Sequence, residues 1–154
     1  MNILIVEDHE PYSNTLCRLI TEKMGADCFV ASTIEDALGI TKITRIDITL
    51  LALSLPVTKG SKELMPLQEV IASIPLFPPP VIVVTDREDN DGLIEIDCYR
   101  NWAQNFITKD ALRDGLGKFK GAELIKEITK SYWRNVLPDQ SLKPIHELAE
   151  ATSA

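Results

Sequence analysis

Short apolar runs alternate along this chain with segments whose apolar residues recur at helical spacing. The apolar runs predict five strands, at 3–6, 28–31, 48–55, 81–84 and 106–108. The helical spacing predicts five helices, at 11–25, 33–40, 62–74, 92–103 and 122–133. Strict alternation of the two types predicts an α/β fold, a doubly wound (βα)5 five-stranded parallel sheet with helices on both faces.

The central run, 48–55, is continuously apolar and ends before Pro56. It is too short for a membrane helix, and it is typical of a strand buried on both faces of a parallel sheet. In open α/β sheets, ligands bind outside the carboxyl ends of the strands. The segment 52–60 is therefore the first candidate for a functional site.

Length and composition predict a single domain. The 154 residues are 45% hydrophobic, enough for one core but not for a second folded output domain. We place a domain at 1–135 and a C-terminal tail at 136–154, with one or two turns of helix predicted at 145–151.

Charge and cysteine content exclude several classes of function. A net charge of −7 without a basic cluster argues against binding to nucleic acid or to an anionic membrane. Three widely spaced cysteines suggest neither a disulfide framework nor a zinc site. The first residues lack a basic leader, and no apolar run reaches membrane length, so we expect a cytoplasmic protein.

Several strand ends carry residues that resemble a known family. The segment 46–60 resembles the third strand and following loop of bacterial response-regulator receiver domains, which are CheY-like and flavodoxin-like in fold. Pro56 and Gly60 follow Ala52 by four and eight residues, as in that family. The family's phosphate-accepting Asp would fall on position 52, which here is Ala52. A methyl group cannot form an acyl phosphate.

The resemblance extends to the other signature positions and implies a role for each residue. Glu7 and Asp8 match the acidic pair that holds Mg²⁺ in the family, Thr85 the hydroxyl that contacts phosphate, and Lys109 the cation. Phe106 matches the aromatic switch residue. Because position 52 lacks its carboxylate, the implied Mg²⁺ site at Glu7 and Asp8 is weak or vestigial.

Each of these residues also has a purely structural interpretation. Asp8 could cap the first helix, and the Thr85 hydroxyl could start a turn. Lys109 could be a solvated surface lysine and Phe106 a core residue. Asp86, directly after Thr85, adds a negative charge near the expected pocket.

Three hypotheses for the function stay open. The first is a receiver or pseudo-receiver in two-component or phosphorelay signal transduction that cannot be phosphorylated at position 52 and acts through protein–protein interaction. The second is an ordinary Asp-phosphorylated receiver, captured as an engineered Ala52 variant. The third is a Mg²⁺-dependent hydrolase of small phosphate esters, although no nucleophile or general base is evident. The first two are not enzymes.

The resemblance also implies partners. A sensor kinase or a downstream target protein would bind, and the family's fourth helix, fifth strand and fifth helix form its usual interaction face. That region here is rich in aromatic residues, namely Tyr99, Trp102, Tyr132 and Trp133. Aromatic residues are enriched at binding hot spots, so we expect a partly exposed tryptophan and a homodimer through this face.

Overall fold

One five-stranded parallel sheet forms the centre of the molecule. The computed structural model describes residues 1–89 and 91–136, and the predicted tail lies outside this part except for Val136. The strands are β1 (Asn2–Val6), β2 (Asp27–Ala31), β3 (Ile48–Leu51), β4 (Val81–Thr85) and β5 (Asn105–Thr108). They lie side by side in the order β2-β1-β3-β4-β5.

Helices cover both faces of this sheet, which confirms the predicted doubly wound fold. They are α1 (Glu10–Met24), α2 (Ile34–Ile43), α3 (Leu67–Ser73), α4 (Leu93–Arg100) and α5 (Gly121–Val136). Short 3-10 helices follow at Ile74–Leu76 and Asp110–Leu112.

Two buried clusters fill the space between sheet and helices. Because side chains alternate along a strand, Leu4 and Val6 of β1 join the cluster beneath α2, α3 and α4. Ile3 and Ile5 join the second cluster, beneath α1 and α5. All four of these side chains are 1% exposed or less. The four residues of β3 are likewise 2% exposed or less, so the apolar run that begins at Ile48 correctly indicated a strand buried on both faces.

Helix ends follow the local sequence. The Thr33 hydroxyl accepts a hydrogen bond from the Asp36 N–H at 3.1 Å and caps α2. Helix α1 ends at Gly25, whose φ of +63° lies in the left-handed region that glycine adopts without strain.

Two predicted boundaries differ from the structure by four residues or more. The third strand stops at Leu51 rather than at residue 55, although Leu53 and Leu55 stay buried in the loop that follows. The third helix begins at Leu67 rather than at residue 62, because the preceding chain folds back on this loop. Met65 N–H donates to the Leu55 carbonyl at 2.8 Å, which orders the backbone without helical hydrogen bonds.

Candidate functional site

The carboxyl ends of the strands bring four of the predicted site residues to one edge of the sheet. Backbone hydrogen bonds continue the strand pairing past the strand ends. Ala52 N–H donates to the Val6 carbonyl at 2.9 Å, beside Glu7, and Lys109 N–H donates to the Thr85 carbonyl at 2.7 Å. The sheet order, in which β1, β3, β4 and β5 follow one another, thus aligns Glu7, Ala52, Thr85 and Lys109 along this edge.

Lys109 and Glu7 form a buried ion pair. The Lys109 ammonium donates to Glu7 Oε1, and the two residues are 8% and 6% exposed. The second oxygen, Glu7 Oε2, accepts the Asp8 backbone N–H at 3.1 Å. Both oxygens of the Glu7 carboxylate are therefore engaged by the protein itself. The interpretation of Lys109 as a solvated surface lysine is wrong.

Tyr12 completes this arrangement, and sequence reasoning missed it. The Lys109 Nζ lies 4.1 Å from the centroid of the Tyr12 ring, a cation–π geometry. Phe119 packs on Tyr12 in an edge-to-face arrangement, with ring centroids 6.0 Å apart. The only signal in the sequence was an aromatic residue in the first turn of α1, close behind the acidic pair.

The Tyr12 hydroxyl lies in an environment that disfavours its ionisation. Burial, followed by the nearby Glu7 charge, raises the pKa of Tyr12 from 10.0 to about 12. Among the residues that the structure describes, no hydrogen-bond partner reaches this buried hydroxyl. Tyr12 therefore serves the site with its ring and stays neutral over the physiological range.

Ala52 offers the site only a methyl group. It is 6% exposed and lines a cavity of about 10 Å³ together with Glu7, Tyr12 and Val84. A cavity of this size holds about one water molecule. Position 52 therefore supplies no nucleophile.

The remaining predicted site residues differ in burial and in the contacts that they make. Thr85 is 1% exposed, and its hydroxyl accepts the Arg87 N–H at 3.0 Å, the turn that its structural interpretation predicted. Asp8 is exposed and does not cap α1, whose N-cap is His9 without a side-chain hydrogen bond. Phe106 is partly buried against the cluster beneath α2, α3 and α4. The capping interpretation of Asp8 is wrong.

The residues at this edge do not fit a bound Mg²⁺ ion. Mg²⁺ requires near-octahedral oxygen ligands, and proteins usually bind it through one or two carboxylates while it keeps several waters. Here one carboxylate, Glu7, is held by Lys109, and position 52 supplies none. Within residues 1–89 and 91–136, no group of three or more His, Cys, Asp or Glu side chains could hold a metal ion.

The face formed by α4, β5 and α5 exposes aromatic surface, as predicted. Trp102 is 44% exposed and Trp133 is 51% exposed, which confirms the expectation of a partly exposed tryptophan. Tyr99 is half-buried, and burial, followed by the Glu95 charge, raises the pKa of its hydroxyl. Trp102 also has a φ of +79°, in the left-handed region where bulky residues are strained.

Acidic side chains line the upper part of the same face. A groove of about 410 Å³ runs from the end of β4 to β5, and its lining includes Asp86, Glu88 and Glu95. Asp86 is exposed in this groove, so its charge does face the space beside Thr85.

No helix in the described part of the chain is long and apolar enough to cross a bilayer.

Comparison with solved structures finds the same fold in many receiver domains. The receiver domain of a putative LuxO repressor protein from Vibrio parahaemolyticus is 17% identical, with a TM-score of 0.67, and the match covers 99% of this chain and 97% of that one. The response regulator domain of Thermotoga maritima CheB is 21% identical, with a TM-score of 0.68 over 90% and 98% of the two chains. A CheY-like receiver domain from Methanospirillum hungatei is 18% identical, with a TM-score of 0.65 over 85% and 92%.

Sequence comparison identifies the family directly. No curated protein matches the chain. The model of the response regulator receiver domain matches residues 3–120, which include every strand residue except Asn2 and the whole edge described above. The chain therefore belongs to the response regulator receiver domain family.

Proposed function

We propose that this chain is a pseudo-receiver, a receiver domain of a two-component or phosphorelay pathway that is not phosphorylated at position 52. Receiver domains are signalling modules that interact with kinases and downstream effectors. The observation that carries the proposal is the buried methyl group of Ala52 at the end of β3, where the family's phosphoacceptor is expected.

The electrostatics of the edge support this proposal. A phosphoryl group is stabilised by cations that are free to pair with its oxygens. Lys109 is instead paired with Glu7, and the exposed Asp86 and Asp8 add negative charge at the rim. An incoming phosphoryl donor, itself an anion, meets repulsion rather than a prepared site.

Function then rests on protein–protein interaction. The proposed partner is a sensor kinase or a downstream target, and a second copy of this chain is proposed at the exposed aromatic end of α4 and α5. The proposed domain is 1–135 with the tail 136–154, in the cytoplasm, without direct nucleic-acid or membrane binding. The net charge of −7 supports the exclusion of nucleic acid and anionic lipid.

A phosphorylation assay tests the proposal. The parent protein is incubated with phosphoramidate and Mg²⁺, and intact mass spectrometry measures the added phosphoryl group. We expect no acyl phosphate in the parent. An unrelated receiver with its own phosphoacceptor Asp serves as the positive control. A stoichiometric, hydroxylamine-sensitive phosphoryl adduct on the parent would overturn the proposal.

A further inference from the structure

We infer that the Lys109 ammonium replaces the divalent cation at this edge and excludes Mg²⁺ from the Glu7 and Asp8 pair. The first observation is the engagement of Glu7. Its Oε1 accepts the Lys109 ammonium and its Oε2 accepts the Asp8 N–H, so no carboxylate oxygen is left without a donor. A metal ion at Glu7 would therefore compete with the Lys109 ammonium for the same carboxylate.

The second observation is that Lys109 is fixed in this position from two sides. The Glu7 carboxylate holds the ammonium from one side, and the Tyr12 ring face lies 4.1 Å away. Lys109 is only 8% exposed, and Phe119 packs on Tyr12 from the segment that follows Lys109 in the chain. Removing the ammonium would leave the Glu7 carboxylate buried and unpaired, a costly state that favours retention of the pair.

The third observation is the charge balance. One ammonium neutralises one buried carboxylate, and Ala52 contributes no charge. With a carboxylate at position 52, the edge would hold more negative charge than Lys109 alone can offset. With Ala52, the balance is complete without metal. The site is consequently held in one metal-independent state, which removes Mg²⁺ as an input to this domain.

This inference goes beyond the proposed function and can fail separately from it. A protein without a phosphoacceptor could still bind Mg²⁺ through Glu7 and Asp8. Conversely, a metal-free edge says nothing about phosphorylation elsewhere. The test therefore uses Mg²⁺ alone, with no phosphoryl donor.

Thermal unfolding of the parent and of three variants tests the inference. In Lys109→Gln, Glu7 loses its cation, and we expect millimolar MgCl₂ to raise the unfolding midpoint by about 3 °C through binding to the folded state. The parent and the matched control Lys126→Gln, at an exposed lysine of α5, should not respond beyond the effect of NaCl at equal ionic strength. The double variant Glu7→Gln/Lys109→Gln should also lose the response.

Two results would overturn the inference. One is a parent that responds to Mg²⁺ as strongly as Lys109→Gln. The other is a folded Lys109→Gln variant that does not respond at all.

A measurement on the parent itself decides the matter if Lys109→Gln does not fold. Paramagnetic Mn²⁺ broadens the amide signals of residues near a bound ion. With millimolar Mn²⁺ we expect the signals of Glu7, Asp8 and Ala52 to stay sharp. Selective broadening of these three signals would show that the ammonium does not exclude a divalent cation.

Discussion

At the scale of the residue, the charge balance at the edge of this sheet depends on two charged side chains and one apolar side chain that are buried together. Glu7 and Lys109 are charged and buried, and each is tolerable only because of the other. Ala52 is apolar and buried beside them. Changing any one of the three alters the charge balance for the other two.

Restoring a carboxylate tests position 52. In Ala52→Asp, a second negative charge enters beside Glu7, which we expect to lower the free energy of unfolding by about 1 to 2 kcal/mol without metal. Millimolar Mg²⁺ should recover this loss, and the variant should accept phosphate from phosphoramidate. Chemical denaturation with and without Mg²⁺ measures the first effect. Ala52→Asn, which adds similar volume without charge, is the matched control.

A variant that neither responds to Mg²⁺ nor becomes phosphorylated would show that more than position 52 has changed. Asp86, exposed in the neighbouring groove, is then the first residue to neutralise. The pseudo-receiver proposal would gain from that result. The alternative of an ordinary receiver carrying an engineered Ala52 would lose, and the codon at position 52 of the native gene tests that alternative directly.

Tyr12 makes the free energy of unfolding depend on pH in the alkaline range. Its pKa is raised from 10.0 to about 12 in the folded state, so the unfolded chain ionises first as pH rises. The stability associated with neutral Tyr12 is complete below pH 10 and is lost as pH rises towards 12. Tyr12→Phe should therefore flatten part of the decline in unfolding free energy over this window. The pKa of Tyr99 is also raised by burial, so the part of the decline that comes from Tyr99 remains in the Tyr12→Phe variant.

Absorbance of tyrosinate provides the independent measurement. Comparison of the parent with Tyr12→Phe should show the loss of one tyrosine that titrates late. A loss of signal confined to pH values below 10 would contradict the buried environment of Tyr12.

At the scale of the element, the capping residue of a helix makes a measurable contribution to the free energy of unfolding. Thr33 is 3% exposed and caps α2 through the Asp36 N–H. Thr33→Ala should cost about 1 kcal/mol of unfolding free energy, and Thr33→Ser should restore most of it. Urea denaturation measures both variants. Equal losses in Ala and Ser would indicate that the methyl group, rather than the hydroxyl, provides the stabilisation.

The turn after α4 carries strain in the backbone. Trp102 has a φ of +79°, which glycine adopts freely and other residues adopt at a cost. Trp102→Gly should therefore be more stable than Trp102→Ala by about 1 kcal/mol, because both variants remove the ring and only glycine relieves the backbone. Thermal or chemical denaturation of the pair measures this difference. A Trp102→Ala variant as stable as Trp102→Gly would show that the turn relaxes without strain.

At the scale of the whole molecule, the exposed aromatic residues are the basis for self-association. Trp102 and Trp133 are 44% and 51% exposed, near the end of the molecule where β5 begins. Exposed tryptophans are frequent hot spots of interfaces, and we expect Trp133→Ala to weaken the dimer about tenfold or more. Light scattering over a range of concentrations measures this. Leu116→Ala, at a 95% exposed apolar residue in the segment between β5 and α5, is the control.

A parent protein that stays monomeric at high concentration would remove the second copy as a partner. The proposed partner would then be a different protein, and the acidic groove between the ends of β4 and β5 would be the next surface to test.

The sequence by itself determined the elements and the direction in which to look for function. Alternating apolar runs and helical repeats are local properties, so they predicted all five strands and placed Glu7, Thr85 and Lys109 at strand ends. The family resemblance rests on the same residues, and it was confirmed over residues 3–120. The boundaries of the third strand and third helix were wrong because the chain after Leu55 folds back on itself. The hydrogen bond from Met65 N–H to the Leu55 carbonyl joins residues that the periodic pattern of apolar positions does not relate.

Only the tertiary structure decided which partner each site residue has. Glu7 and Lys109 are 102 residues apart, and no local pattern can predict that one neutralises the other. The role of Tyr12 likewise depends on the tertiary structure, in which the Lys109 side chain, just after β5, reaches to within 4.1 Å of the centroid of the Tyr12 ring in α1. Burial also depends on the whole fold, since a lysine that is solvated in most proteins is here buried against Glu7, directly after β1, and Tyr12 of α1. A sequence specifies which charges are available, but the free energy of a buried charge depends on the side chains that folding places around it.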